Sequence, residues 1–488
     1  MTHSLLYLNP ASTQSPASIG KRVLYHLSLD RSVSYLSADV KKREYFFKVL
    51  SQPLTDADSI LFRREILADF WGLEGLFEEL YELLSSMARL RESHRGAAKS
   101  NLHTSLKGNQ TVSSAKNVLQ MNALTLKRAL LFVQALEKLL SSYKITSRGL
   151  LCLQSALREM TEKPQLVKLI EHCTRLDALG STQMLDLRAI LDTEGYLKSV
   201  SWIEHRHVRV TDPDLRQKGV LFFKKKAEEG HPCARLYPKN DGYYDTLAIS
   251  ALSELSTLLE SLASDLLCRY CPILEELTFY ELAMNELRLL RQKEIPITFP
   301  RFATAGTASF TALYDLYLLF SEGNCKKVVA NDATLSQNGL AVFGQNGSGK
   351  TVFLRALATA QLLAQAGLPI PAKDAEILLF SSIVTLFSEA EKEHEIGNEA
   401  GRFEQEVREL AEMTDALRPQ TLLLLNEPFQ STAYREGAEG LYHLLRYYTD
   451  CNVTWVLVSH LQQLLPKLKQ DGTALFTTAE GFQILPYM

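Results

Sequence analysis

The stretch that decides the fold is the apolar run Leu340-Ala341-Val342-Phe343, followed directly by Gly344-Gln345-Asn346-Gly347-Ser348-Gly349-Lys350-Thr351. Its second part matches the phosphate-binding pattern GxxxxGK(S/T), the P-loop. Glycines suit such a loop because backbone N–H groups must surround the phosphates with no Cβ atom in the way. The Leu- and Ala-rich residues 352–366 predict a helix whose N-terminal dipole faces those phosphates. We therefore expect residues 344–351 to bind ATP, with Lys350 on the β- and γ-phosphate oxygens and Thr351 on Mg²⁺.

A second buried strand is predicted by the run Thr421-Leu422-Leu423-Leu424-Leu425, which ends at Asn426-Glu427 before Pro428. Such a Walker B strand delivers polar side chains to Mg²⁺ and to the attacking water. Glu427 is the candidate for orienting that water. Asn426 stands where an aspartate is usual, so it offers the metal an oxygen without a charge, which weakens Mg²⁺ binding or turnover. The alternative is an ordinary strand that ends before a turn.

A third strand, Val453–Ser459, ends at His460. In ATPases of the ABC superclass a histidine at this place contacts the γ-phosphate, so His460 is the candidate sensor of that phosphate. A lone histidine at a strand end would otherwise be unremarkable. The predicted catalytic residues are therefore Glu427, Lys350 and His460, and the predicted metal ligands are Thr351 and Asn426.

Composition limits the function only loosely. The chain has 488 residues, 46% of them hydrophobic, and a formal net charge of −3, which neither supports nor excludes a DNA partner. The most basic region lies between about residues 195 and 244, where valines, glycines and prolines predict short strands and turns. Its run Lys224-Lys225-Lys226 is the candidate contact with the DNA backbone. A solvated charged surface is the alternative.

Helical spacing dominates the rest of the first 300 residues. Residues 32–95 predict two or more helices, with a break at Pro53 and an N-cap at Asp56 or Asp58. The polar stretch 93–114 predicts a loop. Residues 245–292 predict the longest helix, broken once at Pro272, which at 1.5 Å per residue would extend about 70 Å. Such a length suits a lever or arm.

The cysteines and the N-terminus indicate the compartment. The chain has seven scattered cysteines, and its only CxxC is Cys268-Arg269-Tyr270-Cys271 within a helical pattern. We interpret that pair as structural, with a metal or redox site as the alternative. Residues 1–16 lack a basic, apolar signal segment, and no apolar run approaches the roughly 20 residues that span a bilayer. These features predict a cytoplasmic protein with no membrane contact.

Further short segments occur around the P-loop in a specific order. They are Ala330–Leu335, Ala364–Ala372, Gly401–Val407 with Phe403 and Glu406, Asn426–Glu427, Ser431–Thr432, Gly437 and His460, and less specifically Leu50–Leu54 and Ile60–Arg64. In this order they resemble the MutS family of DNA mismatch repair ATPases. The likeness covers about residues 31 to 488 and is most specific in the last 160.

The resemblance implies a fold of two parts, an α-helical lever and clamp region followed by an α/β P-loop ATPase domain of the ABC type. It implies an N-terminal segment at 1–30, a lever domain at 31–300 with a reduced clamp at about 195–244, and the ATPase domain at 301–488. It also implies a homodimer with composite ATP sites, whose lever arms enclose DNA without reading its sequence.

Three departures from the family pattern are informative. Only residues 1–30 precede the lever region, which indicates a short member without the mismatch-recognition and connector domains. The C-terminal helix-turn-helix extension is expected to be absent as well. Gly401-Arg402 replaces the signature Ser-Thr, so Arg402 is expected to supply a cation to the partner's γ-phosphate. With Asn426, this predicts slow hydrolysis, or ATP used as a switch for dimer closure.

Two functions from different classes follow from these observations. The first is an ATP-dependent DNA-binding protein whose dimeric clamp closes on DNA, in mismatch repair or recombination. The second is a nucleotide-gated structural or interaction protein that does not bind DNA. An ABC transporter subunit or chromosome-organising ATPase is disfavoured, because the Asn331-Asp332 and Gly367–Ala372 elements are not features of those families.

Overall fold

The computed structural model describes residues 4–8, 19–105, 111–177, 184–191, 197–206, 242–304, 306–321, 327–387, 399–429 and 434–487. Within these ranges the α-helices are α1 Lys21–His26, α2 Leu29–Ser34, α3 Val40–Leu50, α4 Ala57–Gly72, α5 Leu76–Ser105, α6 Val112–Ser142, α7 Arg148–Thr161, α8 Pro164–Asp177, α9 Gly242–Gln292, α10 Leu316–Ser321, α11 Lys350–Gln365, α12 Glu399–Ala416, α13 Tyr434–Asp450 and α14 Leu465–Gln470.

The strands are β1 Met184–Leu191, β2 Leu197–Arg206, β3 Arg301–Phe302, β4 Thr307–Leu313, β5 Asn331–Ser336, β6 Leu340–Phe343, β7 Asp374–Ile377, β8 Ser382–Phe387, β9 Thr421–Asn426, β10 Thr454–Ser459, β11 Ala474–Thr478 and β12 Ile484–Pro486. The chain therefore consists of helices together with sheets of mixed direction.

The chain divides into two compact units. Unit 1 comprises residues 1–3, 73–145 and 150–274, and unit 2 comprises residues 4–72, 146–149 and 275–488. The predicted domains 1–30, 31–300 and 301–488 remain a prediction.

Unit 1 is mainly helical. Its core is formed by apolar side chains of α6, α8 and the first part of α9, including Leu119, Leu126, Cys173 and Leu259. The strands β1 and β2 pair antiparallel, with Met184 opposite Arg206. The strand predicted within the basic region is thus confirmed for 197–206, whereas Lys224, Lys225 and Lys226 lie outside the described residues.

Two predictions about the long helices are wrong. The polar stretch from 93 to 105 continues α5 instead of forming a loop, and α6 begins at Val112 behind a capping box in which Thr111 accepts from the Ser114 N–H. Arg, Glu, Ala and Lys are good helix formers, so one glycine and a few polar residues do not end the helix. Helix α9 also continues through Pro272 without interruption, and it begins at Gly242 inside the region predicted as strands and turns.

Unit 2 contains a six-stranded sheet in the order β12-β11-β6-β10-β9-β8. The strands from β11 to β8 are parallel, and β12 pairs antiparallel with β11. Every residue of β6 and β10 is buried, which explains their uninterrupted apolar sequences. Because β6, β10 and β9 are neighbours, their carboxyl ends meet at one edge of the sheet, where ligands bind in open α/β sheets.

A second sheet of unit 2 has the order β3-β7-β4-β5. The N-cap prediction for α4 is confirmed, since the Ser59 N–H donates to Asp56 Oδ1 at 2.7 Å. Helix α11 is buried along most of its length and ends at Gln365. Gly367 follows the C-cap residue Ala366, and its φ of +87° is the left-handed conformation that glycine adopts without strain.

The far end of α11 is held by Gln365. Its side-chain amide donates to the carbonyl oxygens of Leu54 and Phe380, both at 2.8 Å, and its own Oε1 accepts from Phe380 N–H at 3.2 Å. The buried amide is thus fully engaged with backbone groups from two other segments of unit 2.

Candidate nucleotide-binding site

The loop between β6 and α11 has the geometry that an anion-binding turn needs. Gly347 and Gly349 have φ values of +77° and +92°, and Gly349 is the N-cap of α11. A side chain at either position would be strained by the backbone conformation. Residues 345–347 are exposed, so the loop presents its backbone to solvent at the positive end of a 16-residue helix.

Gly344 is required for a different reason. A Cβ atom at this position would lie 1.9 Å from Thr478 Oγ1 on β11, a distance that no real contact allows. Gly349 is packed less tightly, because its Cβ position is 3.4 Å from the Phe482 side chain. Thr478 and Phe482 therefore border the loop, which the sequence alone did not indicate.

Lys350 is anchored beneath the loop. Its ammonium donates to the carbonyl oxygens of Gly344 and Gln345, both at 2.9 Å, and forms an ion pair with Glu427 Oε1 at 3.0 Å. The side chains of Lys350 and Glu427 are only 4% and 8% exposed. A charged pair so deeply buried is stable only because both members have several partners.

Glu427 follows β9 in an unusual backbone conformation. Its φ of +52° is rare for a residue with a side chain, and its N–H donates to Val458 O on β10 at 2.8 Å. Its second carboxylate oxygen, Oε2, accepts from His460, with Nδ1 at 2.7 Å and the backbone N at 3.2 Å. The carboxylate thus bridges Lys350 and His460, and three of the sequence-predicted residues lie in one cluster.

Thr351 and Asn426 form the other half of the cluster. The Thr351 hydroxyl donates to Asn426 Oδ1 at 3.0 Å, so two uncharged oxygens from α11 and β9 lie side by side. Oxygen donors of this kind are what Mg²⁺ prefers.

These residues fit Mg²⁺ and a nucleotide triphosphate. The loop presents a helix N-terminus, a lysine and glycines whose Cβ atoms would interfere, and Thr351 is exposed beside it. Lys350 and the backbone of residues 344–349 would hold phosphate oxygens, while Thr351 and Asn426 would hold the metal.

Helix α12 contacts the turn that follows β9. Glu406 Oε1 accepts from the N–H of Phe429, another residue with positive φ, at +63°. Gly401, Arg402 and Phe403 belong to α12, but the side chains of Arg402 and Phe403 lie outside the described residues, as do Ser431 and Thr432. The contact of Glu406 therefore lies within one chain, at the base of the site.

A second buried ion pair supports the first turns of α11. Arg355 forms two hydrogen bonds with Asp315, at 2.7 and 2.8 Å, and its guanidinium lies over the ring of Tyr317. Arg355 is one helical turn from Thr351, so this pair fixes the orientation of the helix that carries the predicted metal ligand. This pair was not predicted from the sequence, because Asp315 precedes Arg355 by forty positions.

Asn331 and Asp332 of β5 accept hydrogen bonds from backbone segments around the site. Asn331 Oδ1 accepts from Ile484 N–H at 2.7 Å, next to Phe482 at the border of the loop, and Asp332 accepts from Ala312 N–H at 2.8 Å. These side chains hold backbone segments in the surroundings of the loop.

Two negative findings apply to the described part of the chain. None of its helices is both long and apolar enough to cross a lipid bilayer. Within those same ranges, His, Cys, Asp and Glu side chains do not gather in groups of three or more that could hold a metal ion.

Comparison with known proteins identifies the domain that carries this site. The family model described as MutS domain V matches residues 340–478. The chain is 25% identical over 198 residues to endonuclease MutS2 of Enterococcus faecalis, covering 39% of this chain and 24% of that protein. It is 29% identical over 147 residues to endonuclease MutS2 of Streptococcus agalactiae, covering 30% and 18%.

A third relative is a mitochondrial protein. The mitochondrial DNA mismatch repair protein mutS homolog of Sarcophyton glaucum is 26% identical over 139 residues, which cover 28% of this chain and 14% of the relative. In each case the similar segment spans less than a quarter of the relative's length, and the matched domain contains the P-loop, β9 and His460.

Proposed function

We propose that this chain, whose residues 340–478 match the family model of MutS domain V, binds and hydrolyses ATP with Mg²⁺ and uses the nucleotide to close a dimeric clamp on DNA. The observation that carries the ATP-dependent part is the convergence of Lys350, Thr351, Asn426, Glu427 and His460 at the carboxyl ends of β6, β9 and β10. The DNA-dependent part rests on the resemblance and on the names of the relatives.

The chain's own residues supply positioning and charge. When bound, Mg²⁺ and ATP supply the anhydride bond to be cleaved and a metal that neutralises charge on the phosphates. Lys350 gives up its ion pair with Glu427 and contacts phosphate oxygens instead. Glu427, still held by His460, is then free to accept a hydrogen bond from the attacking water. His460 lies beside it in the position of a γ-phosphate sensor.

ATP hydrolysis by this site is expected to be slow. Asn426 contributes an oxygen without a negative charge, so the metal site has one charge fewer than an aspartate would give it. Gly401-Arg402 stands in place of a hydroxyl pair, so a partner subunit's phosphate would meet a cation at that point. Both changes favour a long-lived ATP-bound state over rapid cycling.

The clamp follows from the family resemblance. The lever is assigned to residues 31–300 and the reduced clamp to about 195–244, with Lys224, Lys225 and Lys226 on the DNA backbone. Two chains would complete each ATP site and enclose the duplex between their arms. Contacts to phosphates alone would make the binding independent of sequence.

The ATP-dependent part is tested by measuring phosphate release and ATP affinity for three variants. Lys350→Ala is expected to weaken ATP binding by about 100-fold, because it removes the phosphate-binding cation. Glu427→Gln is expected to retain ATP binding and to lower turnover by about 100-fold, because an amide cannot accept the water's proton. Glu412→Gln, an exposed change on α12, should match the parent. Unchanged affinity in a folded Lys350→Ala variant would overturn the site assignment.

The DNA-dependent part is tested by titrating the protein with duplex, mismatched and four-way-junction DNA, with and without ATP, at several salt concentrations. Release of counterions predicts a logarithmic slope near −0.9 per phosphate contacted. Triple Lys224→Gln, Lys225→Gln, Lys226→Gln should lower that slope by about 3 if all three contact phosphates. Binding that is absent or independent of salt would favour the nucleotide-gated interaction protein instead.

A further inference from the structure

Cys268 and Cys271 are two neighbouring thiols on α9 that the proposed function does not use. They are three residues apart on a helix, which places their Cβ atoms about 5–6 Å apart on the same side. Cys268 is exposed and Cys271 is buried. Among the cysteines that the structure describes, these two alone stand within one helical turn of each other.

Pro272 loosens the helix at this pair. A proline inside a helix cannot donate to the carbonyl four residues before it, and here that carbonyl belongs to Cys268. A disulfide needs Cβ atoms about 3.5–4.5 Å apart, so the turn must tighten before the sulfurs can bond. The missing hydrogen bond removes one restraint that would oppose that movement.

Basic side chains of α5 act on the buried thiol. Burial raises the pKa of the Cys271 thiol, while the positive charges of Arg91 and Arg95 act in the opposite direction. Arg91 Nε is buried without a hydrogen-bond partner among the described residues. A guanidinium at this point stabilises negative charge that develops on the Cys271 sulfur.

We propose that Cys268 and Cys271 form a modification site that hydroperoxides convert into a disulfide within α9. The exposed Cys268 thiolate attacks one oxygen of the hydroperoxide, giving a sulfenic acid and an alcohol, or water when the oxidant is hydrogen peroxide. The Cys271 sulfur then attacks the Cys268 sulfur, and the departing hydroxide takes the Cys271 proton as water. Two thiols and one hydroperoxide thus yield one disulfide, one alcohol and one water. The inference does not rest on the proposed function.

The position of Arg269 makes the product easy to identify. Trypsin cleaves after Arg269, between the two cysteines, so residues 240–269 and 270–288 are separate peptides in the reduced protein. After exposure of the full-length protein to excess hydrogen peroxide and alkylation, the disulfide should join these peptides into one species. Reduction should separate them again. The linked species should form within one chain and at a rate independent of protein concentration.

Matched variants separate this site from general oxidation. Cys271→Ser should leave Cys268 as a sulfenic acid that dimedone labels, and Cys268→Ser should abolish the linked species and the label at this site. Cys152→Ser removes another exposed thiol and should change nothing. Pro272→Ala restores the backbone donor, so the disulfide should form several-fold more slowly in a variant whose circular dichroism matches the parent.

Three results would overturn the proposal. The first is Cys268 oxidised to sulfinic acid while Cys271 still reacts with the alkylating reagent. The second is Cys268 and Cys152 oxidised to the same extent with no linked peptides. The third is no oxidation of Cys268 under conditions that oxidise Cys152. An unchanged rate in Pro272→Ala would contradict the part assigned to the proline.

Discussion

Unit 2 buries two glutamates in opposite ways. Glu427, at the end of β9, is surrounded by Lys350, His460 and backbone donors, and both of its oxygens are engaged. Glu286, near the C-terminal end of α9, is 1% exposed, and its Oε1 has no hydrogen-bond partner among the described residues. Burial raises the pKa of Glu286 to about 8. The Glu427 carboxylate belongs to a charged cluster, whereas burial favours the neutral form of Glu286.

The contrast shows what burial alone does to a carboxyl group. Without partners, the low-dielectric interior favours the protonated acid. With a lysine and a histidine in contact, the same interior can hold an ion pair, at a cost in stability if either member is removed.

The largest effect is expected from breaking the Glu427 cluster. Glu427→Leu leaves the Lys350 ammonium buried with only carbonyl partners, so the free energy of unfolding should fall by about 3–5 kcal/mol. Urea unfolding at pH 7 measures this change. The double variant Lys350→Met, Glu427→Leu should recover most of the loss, since no buried charge remains. A loss below about 1 kcal/mol in the single variant would contradict the ion pair.

A smaller effect of the opposite sign is expected at Glu286. Because its pKa in the folded protein lies above the unfolded value, its contribution is fully favourable below about pH 4.5 and is lost as pH rises toward 8. Glu286→Leu should therefore raise the free energy of unfolding by about 2–3 kcal/mol at pH 8.5. The gain should shrink toward pH 4.5. Equal gains at both pH values would show that the carboxyl group does not titrate in this window.

A second carboxylate beside Glu427 is expected to strengthen metal binding. Asn426→Asp places a negative charge next to Thr351, where the neutral amide now accepts its hydrogen bond. The Mg²⁺ concentration that gives half-maximal ATP hydrolysis should fall about tenfold, because the metal gains a charged ligand. A metal titration at fixed ATP tests this, with Asn452→Asp, remote in sequence on a loop, as the control. An unchanged metal requirement would place Mg²⁺ elsewhere.

The smallest effect concerns the backbone at the two ends of β9. Gln420 precedes the strand with φ +62°, and Glu427 follows it with φ +52°. The Gln420 side chain is exposed, so Gln420→Gly should stabilise the protein by about 0.5–1 kcal/mol without changing ATP hydrolysis. Thermal unfolding measures the gain. The strained backbone conformation at Glu427 would then be explained by the need for its carboxylate at that position.

The sequence predicted the centre of unit 2 better than its surroundings. The strands β6, β9 and β10 and the helix α11 follow from apolar runs next to glycines and polar pairs, because buried parallel strands have few alternatives. Lys350, Thr351 and Glu427 were predicted from the P-loop and Walker B patterns, and they lie together because neighbouring parallel strands end at one edge of the sheet. The assignment of these residues to ATP and Mg²⁺ remains a prediction.

The remaining features depend on contacts between distant segments. Pro272 was expected to break α9, but packing along the helix outweighs the local penalty of one proline. The 93–105 stretch was expected to be a loop because polar composition resembles a loop, although its residues are good helix formers. Glu286 sits among apolar residues at helical spacing, and a single charged residue in such a pattern usually faces solvent. Nothing in the neighbouring sequence indicates that the Glu286 side chain is buried.

Helix α11 is clamped at both ends, by Arg355 with Asp315 near its start and by Gln365 with Leu54 and Phe380 at its finish. A helix that is held at both ends passes a displacement from one end to the other instead of bending. Any movement of the loop between β6 and α11 that accompanies a change of ligand is therefore expected to reach Leu54 and the start of β8 through the helix. Such a movement is expected to appear at the C-terminal end of α11, about 24 Å of helix away from the loop.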